Sequence, residues 1–337
     1  MENISMKDIA ELSGVSIATV SRVLNNNGRF SEETKEKVLK VIEETGYQIN
    51  YSAKTLRMNK SFSIGILVPD ITNLFFANVV EQIEEILFDK GYSTIICNTA
   101  RDAKKEKAYL SVLVSKLIDG LIIISGADDF EFEHQSAKKE IPYVCIDREP
   151  KDKDRTIFIS SNHYQGAFEA TENLIANGVK HPAIVLHKKS SSSSKERFSG
   201  FKDALKKNNI DFSNEENTLF FHTNKQENKT LLKNFVNDHP DTDGLFTVND
   251  NIGLDIILFL KELNIDVPKD IKIIGFDNVP TCEYSNPTLS SIKQDTEKIA
   301  KKAVSSLIKL IDGQTEDKGK IYLLPVQLIE RESSKLQ

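Results

Sequence analysis

The chain has 337 residues, 39% hydrophobic and 28% charged, which suits two globular domains with room for a small third and excludes a disordered chain. No apolar run reaches the roughly 18 residues of a membrane helix. The polar start, MENISMKDIAELSG, lacks the apolar stretch of a signal peptide, so a cytoplasmic protein is expected. The net charge of −6 excludes a chain coated in basic residues; the first 60 residues hold nine basic and eight acidic side chains, and the remainder 35 and 42. Any nucleic-acid contact must therefore be local and placed by a motif.

Residues 1–48 read as three short helices. Ser5, three residues before Asp8, is a capping-box start for a helix running to about Ser13, with Ile9, Ala10 and Leu12 as its apolar positions. Gly14 supplies the turn. Ser16 caps a second helix over 17–24, with Val20, Val23 and Leu24 on one side, and Asn25-Asn26-Asn27-Gly28 stops it. Ser31 caps a third, where Glu32 and Glu33 suit the positive helix start and Val38, Leu39, Val41 and Ile42 form a buried face ending at Gly46. After a connector over 49–61, short apolar runs alternate with helical patterns. Strands are expected at Ile64–Val68, Thr94–Asn98, Leu121–Ile124, Tyr143–Ile146, Ala183–Leu186, Leu245–Val248 and Ile271–Gly275, with helices between most of them. Such alternation means parallel sheets covered on both faces. The pattern restarts near residue 160, so two α/β lobes with a cleft between them are expected over 62–332. Residues 62–160 plus 293–321 would form one lobe, 161–292 plus 322–332 the other, and 333–337 a tail. Cys97, Cys145 and Cys282 are far apart, without metal or disulfide spacing. The serine run 190–194 reads as a solvated loop.

The segment MKDIAELSGVSIATVSRVLN, from Met6 to Asn25, has the small residues, Gly turn and apolar locks of a helix-turn-helix. Ile17, Ala18 and Arg22 fall on the outward start of its second helix. Arg22 suits a bidentate contact to guanine, while Ile17 and Ala18 suit thymine methyls. The hydroxyls of Ser16, Thr19 and Ser21 suit phosphates. Further along, Asn73, Phe75 and Phe76 follow the first strand and Asp147 and Arg148 the fourth, where α/β sheets bind ligands. Arg197, Asn249, Asp277 and Gln294 add groups that donate to and accept from hydroxyls, and Phe221 offers a second apolar face.

These motifs, with SIGILVPDITNLFF, IDR at 146–148, RFSGF at 197–201, TVND at 247–250, IIGFDN at 273–278 and SIKQ at 291–294, span essentially the whole chain. In that order they resemble the lactose-repressor/galactose-repressor family of bacterial transcriptional regulators. The resemblance implies a two-lobed, periplasmic-binding-protein-like core behind the helix-turn-helix, and a homodimer on a pseudo-palindromic, double-stranded operator. The connector would fold into a hinge helix on DNA. There Leu56 would wedge into a minor-groove base step, Ala53 would let two helices approach, and Lys54 and Arg57 would lie near phosphates. The core resembles the ribose-binding class of sugar receptors at Asn73, Phe75, Phe76, Asp147, Arg148, Arg197, Asn249, Asp277 and Gln294. Ser125 stands where that class usually has an amide. The effector implied is a small sugar, D-ribose or a related pentose, with no cofactor and no metal.

The sequence has no GxSxG, P-loop, HExxH or post-strand GxGxxG, so an enzyme is not expected. Two alternatives stay open. One is a carbon-catabolite regulator with a phosphorylated phosphocarrier protein as corepressor. The other is a sugar receptor or sugar-modifying enzyme. The stretch RESSKLQ after Glu330 shows no heptad seam, which favours a dimer over a larger assembly.

Overall fold

A computed structural model of the chain describes residues 4–24, 27–47, 60–124, 141–151, 153–188, 191–222 and 224–335. The chain divides into two compact units, Met1–Ser61 and Phe62–Gln337. In the first, α1 (Met6–Ser13) opens on the expected capping box: the Asp8 N–H donates to Ser5 Oγ and the Ser5 N–H donates to Asp8 Oδ2. Gly14, at φ 68°, turns the chain into α2 (Ile17–Leu24), and α3 (Glu32–Thr45) follows its Ser31 cap. Ile9, Ala10, Val20, Val23 and Val38 are buried together. Leu39 is not part of that face and is exposed, as is Leu12; one residue is 100° of helix rotation, enough to carry Leu39 past the edge of the stripe.

The second unit holds two six-stranded sheets. The first lobe begins β1 (Ser63–Val68), α4 (Leu74–Asp89), β2 (Ser93–Asn98), α5 (Ala103–Ser115), β3 (Gly120–Ile124), β4 (Tyr143–Ile146) and β5 (Ile157–Ser161). The second continues α6 (His163–Ala176), β6 (Pro182–His187), α7 (Ser192–Lys207), α8 (Asn214–Asn217), β7 (Thr218–Phe221), α9 (Lys225–Asp238), β8 (Gly244–Thr247), α10 (Asp250–Glu262), β9 (Lys272–Asp277) and β10 (Ser290–Lys293). Then α11 (Thr296–Ile311) and β11 (Ile321–Leu324) return to the first lobe, and β12 (Gln327–Ile329) joins the second. The orders are β11-β5-β4-β3-β1-β2 and β12-β10-β9-β8-β6-β7. All pairings are parallel except β10 with β12. Strand order reverses beside β1 and β6, which opens a crevice at the carboxyl ends of each sheet.

The boundaries differ from expectation in two places. Ile321–Leu324 pairs along Phe158–Ser161, so the last crossing follows Leu324 rather than residue 321. Residues 333–335 are not a loose tail. Ser333 and Ser334 are fully buried; Ser333 Oγ donates to the Ile273 carbonyl at 2.7 Å and accepts from the Ser290 N–H at 2.8 Å. Cys97, Cys145 and Cys282 are buried free thiols.

One close approach fixes the second lobe. A Cβ at Gly200 on α7 would lie less than 3.0 Å from the Tyr164 carbonyl oxygen of α6, and backbone cannot swing aside as a flexible side chain could. Gly200→Ala is expected to destabilise the protein by about 1–3 kcal/mol through this overpacking. Urea denaturation checks it: a midpoint equal to wild type at unchanged m would show that the contact relaxes freely.

Candidate functional site

In the first unit, Ser16 Oγ accepts from the Thr19 N–H at 3.1 Å and shares a hydrogen bond with Thr19 Oγ1 at 2.9 Å, which starts α2 in register. Ser16, Ile17, Ala18 and Arg22 are exposed, and Thr19 and Ser21 half-buried. Val20 and Val23 face inward, which leaves Ile17, Ala18 and Arg22 on the outward face of α2. Gly28, at φ 99°, lies against the Arg22 stem. Ala53, Lys54, Leu56 and Arg57 lie outside the described residues.

In the second unit a cleft with about 460 Å³ of space, counting its open mouth, lies at the carboxyl ends of the strands. From the first lobe, Asn73 caps α4 by accepting from the Phe75 N–H at 2.9 Å, which brings Phe75 and Phe76 to the wall. Their rings meet edge to face with centroids 5.3 Å apart. Asp147, just past β4, also faces the cleft, as do Arg197, Asn249 and Asp277 from the second lobe.

Three expected residues do not line it. The Arg148 guanidinium turns to Glu106 on α5, with N–O at 3.0 Å. Phe221 is buried at the end of β7 in the apolar core. Gln294 is buried behind the wall and donates from Nε2 to Asp277 Oδ1 at 2.7 Å, so it supports a lining residue. Ser125 lies outside the described residues.

Residues outside the expected set also line the cleft: Arg101 after β2, His187 at the end of β6, and Ser191, Ser193 and Ser194. The serine run is thus no solvated loop. Ser191 caps α7 by accepting from the Ser194 N–H at 3.2 Å. Ser192 Oγ reaches across the cleft and donates to the Asp147 carbonyl at 3.0 Å. Counting residues past each strand's carboxyl end would have flagged Arg101 and His187.

The charges are buried and interlocked. Arg197 donates to the Val248 carbonyl, lies 3.5 Å from Asp277 Oδ1 and stacks 3.6 Å over the Phe276 ring. Asp147 Oδ1 accepts from Ser160 Oγ at 2.8 Å and lies 3.0 Å from His163 Nε2. Burial opposes ionisation of Asp147, but His163, Ser160 and Arg197 outweigh it and hold the carboxyl below its usual range. Burial drives Asp277 well above that range, although Arg197 pulls the other way. Burial, with Arg101 and Arg197 nearby, lowers His187 to about 4; its Nε2 lies 3.0 Å from Asn249 Nδ2, so the amide donates to a neutral ring. Such donors and acceptors beside apolar rings suit a hydroxyl-rich molecule. The His163–Asp147 pair has Arg197, not a hydroxyl, at its other ring nitrogen. Among the described residues no His, Cys, Asp and Glu group could hold a metal.

A DNA-reading helix pair joined to a two-lobed receptor core defines a ligand-responsive regulator. The family model for bacterial regulatory proteins of the lacI family matches residues 5–50, and the periplasmic binding protein-like domain model matches 171–334. The chain is 33% identical to the HTH-type transcriptional regulator RegA of Clostridium saccharobutylicum, over 98% of this chain and 99% of that one. It is 30% identical to the ribose operon repressor of Halalkalibacterium halodurans, over 98% and 97%. A periplasmic binding protein/LacI transcriptional regulator from Alkaliphilus metalliredigens, complexed with D-xylulofuranose, superposes with a TM-score of 0.72 at 31% identity, over 81% of this chain and 98% of that one. The chain belongs to the lacI family: it is a transcriptional repressor, not an enzyme.

The half-buried His187 gives a pH dependence of known sign. Between about 4 and the ordinary imidazole value of about 6.5 the unfolded chain holds a proton on this side chain that the folded protein does not. Stability therefore rises with pH across that window, is complete above it, and is lost as pH falls. His187→Asn is expected to flatten the rise by about 1–2 kcal/mol. Denaturation of both proteins at pH 4.5 and 7 measures it, and parallel slopes would contradict the assignment.

Proposed function

We propose that this chain represses a sugar-utilisation operon as a cytoplasmic homodimer on a pseudo-palindromic operator, and that a small sugar, D-ribose or a related pentose, binds between its lobes. The observation that carries the reading is the cleft itself. The Asp147 and Asp277 carboxyl groups, the Arg197 fork and the Asn73 and Asn249 amides surround a pair of phenylalanine rings. Hydroxyls that both donate and accept suit those polar groups, and the apolar face of a sugar ring suits Phe75 and Phe76. The ribose operon repressor among the relatives and the furanose held by a structural neighbour support a five-carbon ligand. Operator contact falls to Ser16, Ile17, Ala18, Thr19, Ser21 and Arg22, with Ala53, Lys54, Leu56 and Arg57 of the connector working in the minor groove.

Two variants separate the parts of this reading. Arg22→Ala should cost about 1–3 kcal/mol on the specific operator and relax one base preference in each half-site, with little change on random DNA. Equal losses on both DNAs would remove Arg22 from base reading. Asp277→Ala leaves buried sugar hydroxyls unpaired at about 1–3 kcal/mol per group. It should give a repressor that binds operator and ignores the sugar. Operator titrations with and without millimolar D-ribose test both the variant and the ligand. A wild-type curve that no pentose shifts would defeat the pentose reading, whereas a fully responsive mutant would remove Asp277 from the site.

A further inference from the structure

His163 is almost fully buried and does not line the cleft. It nonetheless stands between the two lobes' principal charged groups. Its Nε2 lies 3.0 Å from Asp147 Oδ1 of the first lobe, and its Nδ1 faces Arg197 of the second at 3.2 Å from Nη2 and 3.4 Å from Nε. A guanidinium only donates, so Nδ1 must accept and the ring proton must sit on Nε2, donating to Asp147. Beyond Arg197 the chain of contacts continues to Asp277 and Gln294. We propose that His163 is a positioning residue for the effector response: as the neutral Nε2–H tautomer it carries one directed hydrogen-bond chain, donating from Arg197 through the ring to Asp147, and registers the two cleft walls to one another. It rests on the reading that the effector lies in this cleft.

The directionality is the physical content. A protonated ring would place a second N–H against Arg197, so charge and hydrogen-bond geometry both favour the neutral form. Asp147 and Arg197 are the charged groups that face the ring, with Phe276 alongside at 5.5 Å between centroids. Burial and Arg197 lower its proton affinity, against the pull of Asp147, with a net fall. An apolar side chain of similar size would leave both Asp147 and Arg197 short of a partner, and their orientation toward a ligand would be lost. A glutamine can offer an N–H to Asp147 and an oxygen to Arg197, and so can restore the chain.

The test compares wild type, His163→Leu and His163→Gln. The first reading is the ratio of operator affinities with and without D-ribose in each protein, which divides out any change in operator binding itself. A loss of that ratio by tenfold or more in the leucine variant, with recovery to within about threefold in the glutamine variant, is expected. A leucine variant that responds like wild type, or a glutamine variant as unresponsive as the leucine one, would overturn the proposal. The second reading needs no ligand. Nitrogen NMR of histidine-labelled wild type at pH 7, with the leucine variant as the assignment control, should show one imidazole held as the neutral Nε2–H form. An Nδ1–H ring, or a doubly protonated one, at that pH would overturn the relay. If ribose shifts nothing in wild type while the spectrum is as expected, the pentose reading fails and the relay stands.

Discussion

A guanidinium cannot be taken out of water unless its charge and its donors are met by the protein. Arg197 is only 6% exposed, and the second lobe is arranged around that fact. Asp277 Oδ1 lies 3.5 Å away, the ionised Asp147 offsets the charge, the Val248 carbonyl and His163 Nδ1 meet donors, and the Phe276 ring covers one face. Removing one partner from such a buried set is strongly destabilising, whereas the set as a whole adds little net stability. Its value here is geometric. Arg197 lies three residues before Gly200, and Gly200 touches the backbone of Tyr164, the residue after His163. The absent side chain at Gly200 lets α7 lie close enough to α6 for Arg197 and His163 to meet.

The cleft also stores backbone strain. Arg101, Asp147 and Asp277, all cleft-lining, have φ of 55°, 52° and 117°, in the region where non-glycine residues cost about 1–3 kcal/mol each. Each follows or ends a strand, and the sharp turn aims its side chain across the strand ends. Asp147 is kept there by Ser160, His163 and the Ser192 hydroxyl on its own carbonyl, and Asp277 by Gln294. Bonds to groups behind the wall thus hold the front of the wall in shape.

The elements that carry this arrangement were legible in the sequence to different degrees. The first three helices and the apolar strands were clear because caps and continuous Val, Ile and Leu runs are local signals. Strand β5 ends in Ser160 and Ser161, which are buried yet polar, so hydrophobicity understated it. The serines at the start of α7 read as loop because serine favours caps over helix interiors, and here Ser191 is the cap. Helix α11 buries Ile299, Ala300, Ala303, Val304, Leu307 and Leu310, a regular stripe that its many lysines obscured. At the site, motif position found Asp147, Arg197, Asn249 and Asp277. It misplaced Arg148 because two neighbours after a strand point to opposite sides, and which one enters the cleft is settled by the local turn. His163, near the lobe crossover in the sequence, reads there as a satisfied structural histidine: its role comes from two side chains that only tertiary packing brings to its ring.

The chain passes between the lobes three times, after Ser161, after Lys293 and after Leu324. Two of these passages run straight into helix caps. Asn162 accepts from the Gln165 N–H to start α6, and Asp295 accepts from the Lys298 N–H to start α11. Each cap fixes where its helix begins. Those caps adjoin the cleft's supports: His163 follows Asn162, and Gln294 precedes Asp295. A ligand that favours one lobe angle must have differential affinity for it, and the groups that would sense it, Asp147 and Asp277, are bonded to side chains beside these caps. The bonds that orient Asp147 and Asp277 are thus anchored on the segments where the chain passes between the lobes.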